Sequence, residues 1–84
     1  YDVKAKTHAV VANIQRIVEE AGDRMDQIVD VTTFLIDMKR DFAGYNEVWA
    51  ETLGQYGPTR TTLAIDALPT PIAVEMKVIV HLAE

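Results

Sequence analysis

The segment QIVDVTTFLID, residues 27–37, is the strongest constraint on how this chain folds. It is rich in β-branched residues, and apolar side chains occupy both of its alternating faces: Ile28, Thr32, Phe34 and Ile36 on one, Val29, Val31, Thr33 and Leu35 on the other. A strand that is apolar on both faces is typical of the centre of a covered sheet. The pattern therefore predicts a central strand packed on both sides, with Asp30 as the polar exception.

A first amphipathic helix precedes this strand. Over residues 3–21 the apolar positions recur at helical spacing and define one face of an α-helix. Asp2 is placed to serve as its N-cap, and Gly22 to end it.

A second helix is predicted after the strand, from about residue 42 to residue 53. Asp41 would be its N-cap and Gly54 its end, and the basic pair Lys39 and Arg40 would lie in the preceding short loop. Gly44 inside this helix costs about 1 kcal/mol relative to alanine, so we expect close packing at that position.

Two further strands complete the pattern, over residues 61–67 and 72–82, joined by the rigid loop LPTP at 68–71. The order α-β-α-β-β predicts two helices packed on one face of a mixed sheet, an α+β or α/β sandwich. Three strands make a thin sheet, whose edges normally need to be covered.

The chain is small for its apolar content. It has 84 residues, which we interpret as one domain, and 49% of them are hydrophobic. A chain of this size buries only about 60–65% of the surface that it exposes when unfolded. Oligomerisation, or further sequence beyond these residues, is therefore expected.

The net charge of −5 argues against general nucleic-acid binding, which depends on clustered lysine and arginine. No apolar run approaches the ~18 residues of a membrane span, so we expect no membrane partner and a cytoplasmic location. The chain contains neither cysteine nor serine, which removes thiol and serine nucleophiles. The two histidines, His8 and His81, have no ligand spacing around them, so no metal site is predicted.

Arg60 is the first candidate for chemistry. It follows the turn GPT, at the mouth of a predicted strand. A guanidinium group on a stiff turn is well suited to bind a carboxylate through two hydrogen bonds. The residue pattern alone favours an ordinary salt bridge in a loop.

Glu75 is the second candidate. Strand alternation places it opposite Val74 and Met76, on a face with Ala73, Lys77 and Ile79. Alternation alone favours a solvated face, with Glu75 paired near Lys77. If it were covered, burial would raise the pKa of a carboxyl group toward the range used in general acid–base catalysis. On spacing alone, Asn46 is a polar helix residue and Trp49 a core residue.

Several motifs together resemble the RidA (YjgF) family of imine and enamine deaminases. They are NIQRIVEEAG, IVDVTTFLIDMKRDFAGYNEVWAETLG, GPTRTTLAIDALP and VEMKVIV, and they span essentially the whole chain. FAGYNEVW and GPTRTT look most similar to the 2-aminomuconate deaminase branch. The resemblance implies a chorismate-mutase-like α+β fold and a homotrimer with active sites in the clefts between subunits.

The resemblance also implies roles for four residues. Arg60 matches the arginine that binds the substrate carboxylate, and Glu75 the glutamate that positions and polarises water. Asn46 matches the supporting asparagine of the helix motif. Thr62 stands where many members have a cysteine and is expected to contact substrate.

The implied reaction is hydrolysis of a carboxylate-bearing enamine or imine with release of ammonia. No cofactor is expected, because the imine carbon is already electrophilic. The family domain begins with strands that precede the first helix, and these are expected to be missing from residues 1–84. A non-catalytic trimer that binds small metabolites is the alternative; ribonuclease activity, attributed to some relatives, is disfavoured by the acidic charge.

Overall fold

The computed structural model describes residues 2–68 and 73–81. Helix α1 spans Val3–Glu20, strand β1 Ile28–Leu35, helix α2 Met38–Glu51, strand β2 Thr59–Ala64 and strand β3 Val74–Val80. Short 3₁₀ turns precede β1, at Met25–Gln27, and follow α2, at Leu53–Tyr56. The predicted element order is confirmed. Most of the predicted loop at 68–71, and both ends of the strand predicted over 72–82, lie outside the described residues.

The three strands form one mixed sheet in the order β2-β1-β3. Strand β1 runs parallel to β2 and antiparallel to β3, so it is the central strand, as predicted. Both helices pack on the same face of this sheet, α1 mainly against β3 and α2, and α2 also against β1. The predicted α+β architecture, two helices on one face of a mixed sheet, is confirmed.

The two faces of β1 differ in whether helices pack against them. Val31, Thr33 and Leu35 are fully buried beneath the helices. Ile28 joins them because a β-bulge between Ile28 and Asp30 shifts the alternation in the pairing with β3. The prediction that Ile28 shares a face with Thr32 and Phe34 is therefore wrong.

The other sheet face has no helix against it within the described residues. We call it the open face; it carries Asp30, Thr32 and Phe34 of β1, Thr59, Thr61 and Leu63 of β2, and Glu75, Lys77 and Ile79 of β3. Leu63 is 44% exposed and Ile79 49%. The second cover that the sequence of β1 predicts is thus not supplied by the described part of this chain.

Helix α1 has the predicted ends. The Asp2 carboxylate accepts hydrogen bonds from the backbone N–H groups of Lys4 and Ala5, and Gly22 follows the helix with a φ of +86°. Its buried stripe consists of Thr7, Val11, Ile14 and Val18. Ile17, predicted on the apolar face, is instead 54% exposed, because it lies at the border of a groove between α1 and β3.

Helix α2 begins earlier than predicted. Asp37, not Asp41, is its N-cap, and the Asp37 carboxylate accepts from the backbone N–H of Arg40 at 3.1 Å. Asp41 is buried in the first turn, where the Arg40 guanidinium donates to both of its carboxylate oxygens. Lys39 and Arg40 are therefore helical rather than in a loop, because both favour helix and Asp37 supplies the cap.

The end of α2 also differs from the prediction. The helix ends at Glu51 with Thr52 as its C-cap, and Gly54 lies inside the 3₁₀ turn that follows. The expectation of close packing at Gly44 is confirmed. A Cβ added there would lie 2.6 Å from Cγ1 of Val3, so α1 and α2 approach each other too closely for a side chain.

Candidate functional site

Arg60 lies inside strand β2 rather than in the loop before it. The chain leaves the 3₁₀ turn through Gly57, which has a φ of +69°, and β2 begins directly after Pro58. In the sheet, Arg60 is opposite Val31, whose side chain faces the helices. Because partners opposite each other share a face, the Arg60 side chain is directed toward α2.

Asn46 of α2 receives the Arg60 guanidinium. Nη1 of Arg60 donates a hydrogen bond to Oδ1 of Asn46 at 2.6 Å. The helix and the strand edge thus bring together the two residues that the motif resemblance assigned to one site. Within residues 2–68 and 73–81, the other four N–H donors of this guanidinium have no hydrogen-bond partner.

Arg60 is also without a carboxylate partner in the described part of the chain. The other three arginines each lie within salt-bridge distance of an acidic side chain: Arg16 of Glu20, Arg24 of Asp26, and Arg40 of Asp41. The interpretation of Arg60 as an ordinary loop salt bridge is therefore wrong for the described residues. A partly solvated cation in an acidic chain, with free donors, is suited to bind an external anion.

Two aromatic rings of α2 lie beneath the guanidinium. Cζ of Arg60 is 5.0 Å from the ring centroid of Trp49 and 5.8 Å from that of Tyr45. Both distances are within the range of cation–π attraction. Trp49 lies in the core, as predicted, whereas the contacts of Trp49 and Tyr45 with Arg60 were not predicted. The four-residue spacing of Tyr45 and Trp49 is the sequence feature that indicates these contacts, because it puts both rings on one side of α2, next to Asn46.

The Tyr45 hydroxyl links this site to the sheet. It donates to Oγ1 of Thr33 at 2.8 Å and lies 3.3 Å from Oγ1 of Thr62. Either hydroxyl can be the donor in the second contact. Thr62 lies two residues after Arg60 on the same face of β2, so it belongs to the same cluster. We call Asn46, Tyr45, Trp49, Arg60 and Thr62 the arginine cluster.

Glu75 is not part of this cluster within a single chain. It lies on β3, opposite Phe34, on the open face of the sheet, whereas Arg60 lies on β2 and faces the helices. The strand spacing of about 4.8 Å and the rise of about 3.3 Å per residue put their Cα atoms roughly 14 Å apart. Glu75 is exposed and forms no salt bridge with Lys77 in the described residues.

The two predicted halves of the site are therefore separate in one chain. The arginine cluster offers a cation, an amide and a hydroxyl, which can bind a carboxylate. The Glu75 side offers a carboxylate that can accept or donate a proton. A single ligand can reach both only if the Glu75 surface of one copy meets the Arg60 edge of another.

Comparison with known proteins identifies the relatives of this chain. Residues 1–82 match the family model described as endoribonuclease L-PSP. A RutC family protein of Pyrococcus abyssi is 39% identical over 80 residues, which are 95% of this chain and 62% of that protein. The mitochondrial protein Mmf1 of Saccharomyces cerevisiae is 35% identical over 77 residues, 92% of this chain and 52% of its own length.

Solved structures give the same assignment. The crystal structure of yeast Mmf1 superposes with a TM-score of 0.89 at 34% identity, covering 95% of this chain and 63% of that one. RidA from an Antarctic Psychrobacter species gives a TM-score of 0.86 at 34% identity, covering 94% and 63%. The chain thus spans only part of the length of these relatives. It belongs to the endoribonuclease L-PSP family, which includes the RidA (YjgF) proteins whose motifs its sequence resembles.

Proposed function

We propose that this protein is a hydrolytic deaminase of enamines and imines that carry a carboxylate. The observation that supports the proposal best is the set of contacts that the Arg60 guanidinium makes. Asn46 and two aromatic rings hold its guanidinium, while no carboxylate of the described residues pairs with it. Such a group is prepared to bind the carboxylate of a small substrate.

The chemistry requires a water molecule and a proton relay. The enamine first tautomerises to the imine, and Arg60 holds its carboxylate. Water, oriented by Glu75, adds to the C=N carbon and gives a carbinolamine. The C–N bond then breaks, ammonia leaves with a proton relayed through Glu75, and a carbonyl remains. Every atom comes from the substrate and water, so this route needs no cofactor.

This mechanism requires two copies of the chain. Arg60 and Glu75 lie on opposite edges and opposite faces of the sheet, so we place the site between subunits of a homotrimer. The open face supports this arrangement, because it leaves Leu63 and Ile79 nearly half exposed. A subunit packed there would bury apolar surface and cover Glu75, giving a carboxyl group the partial burial that acid–base catalysis favours.

The substrate is proposed to be of the 2-aminomuconate or 2-aminoacrylate type. The segments FAGYNEVW and GPTRTT, which resemble the 2-aminomuconate branch, contain every residue of the arginine cluster. The part of the chain that most resembles this branch is therefore also the part that surrounds Arg60.

Ammonia release by the full-length protein tests the proposal. We expect Arg60→Ala to raise KM for either substrate, and Glu75→Gln to lower kcat while KM changes little. Glutamine keeps the size of the side chain but cannot carry the proton. Unchanged ammonia release by Glu75→Gln would show that the catalytic assignment is wrong.

A trimer that only binds small carboxylates is the second candidate. It is favoured by the completeness of the arginine cluster in one chain, while Glu75 remains distant from it. Tight carboxylate binding by the full-length protein, with no ammonia released from either enamine, would establish this candidate instead.

Nucleic acid and membrane are not proposed as partners. The net charge is −5, and Arg60 is surrounded by aromatic and amide groups rather than by other cations. In the described ranges, neither helix is long and apolar enough to cross a membrane. The cytoplasmic location stays a prediction, and the yeast relative Mmf1 is named as mitochondrial.

A further inference from the structure

We infer that Trp49 and Tyr45 are positioning residues for the anion-binding arginine, and that they fix the guanidinium in the orientation in which it receives a carboxylate. This inference rests on the anion-binding role proposed above for Arg60. It assigns a function to two aromatic residues that their burial alone would explain as core.

The first observation is the geometry of the three side chains. The guanidinium carbon lies over both rings, nearer to Trp49, while Nη1 is held by Asn46. An exposed arginine side chain ordinarily samples many rotamers. Here one hydrogen bond and two ring faces restrict it before any ligand arrives, so less entropy is lost when a carboxylate binds.

The second observation is that the rings themselves are fixed. Tyr45 is fully buried, and its hydroxyl is bonded to Thr33 and lies next to Thr62. Trp49 is 8% exposed. A Cβ added to Gly54 would lie 3.0 Å from Nε1 of Trp49 and 3.2 Å from its Cδ1, so the turn after α2 packs directly against the indole. The platform under Arg60 is therefore rigid.

The third observation is that both rings are buried. With Trp49 and Tyr45 buried, neither ring has a free face on which a substrate could stack. Their contact with the ligand is indirect and passes through Arg60. We therefore expect their loss to weaken carboxylate binding and to leave the chemistry at the imine carbon largely unchanged.

Pyruvate binding to the full-length protein tests this inference without any turnover. Pyruvate is the carbonyl product expected from 2-aminoacrylate, and calorimetry measures its Kd. We expect Trp49→Leu, which removes the ring, to weaken binding roughly threefold to thirtyfold, the range of a cation–π contact. Trp49→Phe retains a ring and should recover most of this loss.

A matched control variant distinguishes an effect on the orientation of Arg60 from an effect on the stability of the fold. Val48 is buried on the same helix but has neither an aromatic ring nor a polar group that could hold the Arg60 guanidinium, so Val48→Ala should destabilise the fold and leave the Kd for pyruvate unchanged. In ammonia-release assays, Trp49→Leu should raise KM with kcat within about twofold of wild type, since its effect passes through Arg60.

A spectroscopic measurement covers the case in which Trp49→Leu does not fold. Trp49 is the only tryptophan of these residues, so pyruvate bound to Arg60 should change its fluorescence with the calorimetric Kd, and Arg60→Gln should abolish this change. The inference is wrong if pyruvate does not bind the wild type, if it binds without a change in indole emission, or if it binds Trp49→Leu as tightly. Binding that behaves as expected without ammonia release would instead refute only the proposed deaminase.

Discussion

The two edges of the sheet differ in how many contacts of the candidate site each one forms within a single chain. At the β2 edge, Arg60 is held by Asn46 and by two rings of α2, and every part of that arrangement comes from one chain. At the β3 edge, Glu75 is exposed on the open face and borders the groove between α1 and β3. The proposed binding group is thus held within one chain, whereas the proposed mechanism makes the catalytic group dependent on a neighbouring subunit.

The largest expected effect tests whether the two edges meet between subunits. Full-length Arg60→Gln and Glu75→Gln should each be nearly inactive. Unfolded together and refolded as mixed trimers, they should regain about a quarter of wild-type ammonia release, because that share of interfaces joins an intact Arg60 to an intact Glu75. Each variant refolded alone is the control. A mixture as inactive as its components would place both groups in one subunit.

The next effect concerns Asn46. In Asn46→Asp, a carboxylate replaces the amide that accepts from Arg60 and competes with the substrate for the guanidinium. We expect KM to rise by about tenfold or more, the scale of a charge-assisted hydrogen bond. Asn46→Ala removes the acceptor without adding charge and should raise KM less. An equal KM for both variants would mean that competition for Arg60 is unimportant.

A third prediction concerns the helix pair that covers both edges. In Gly44→Ala the new methyl group would meet Cγ1 of Val3 at 2.6 Å, so either the Val3 side chain or the packing of α1 on α2 must shift. We expect a loss of about 1–3 kcal/mol in the free energy of unfolding, measured with urea. Ala43→Gly is the matched control at an exposed neighbouring position, where only helix propensity changes, at about 1 kcal/mol. Greater stability of Gly44→Ala would contradict the close approach.

The smallest effect concerns the Thr62 hydroxyl of the arginine cluster. Thr62→Val keeps the shape of the side chain and removes its contact with Tyr45. We expect a loss of about 1 kcal/mol in the free energy of unfolding and a small rise in KM, with kcat unchanged. Thr61→Val, which changes the open face of the same strand and leaves the contact between Thr62 and Tyr45 intact, is the matched control and should leave KM for the substrate unaffected.

The sequence predicted which helices and strands form better than it predicted the residues at which they begin and end. The β-branched run of β1 and the helical periodicity of α1 are strong local signals, and both elements were correctly placed. The start of α2 was missed because Asp37 and Asp41 can both serve as an N-cap, and they are distinguished by the capping bond of Asp37 and the burial of Asp41 against Arg40. The bulge after Ile28 depends on pairing with a strand more than forty residues away, which no local pattern records.

The residues of the candidate site could be predicted from the sequence, but their positions relative to one another could not. Motifs pointed to Arg60, Asn46, Thr62 and Glu75, and the structure brings the first three together. The separation of Glu75 follows from the strand order β2-β1-β3, which the sequence of each strand does not encode. The roles inferred for Tyr45 and Trp49 were hidden by their burial, since a core aromatic and a platform for a cation have the same hydrophobic signature.

The parallel pairing of β1 with β2 has a consequence for how the protein folds. Every residue of the arginine cluster, and Thr33 beneath it, lies between the start of β1 and the end of β2, with α2 as the connection. The half of the molecule that carries the arginine cluster is thus one contiguous β-α-β unit, and its long-range contacts close over a short stretch of chain. In native-state hydrogen exchange, amides of this unit should open as one cooperative group, separately from those of β3.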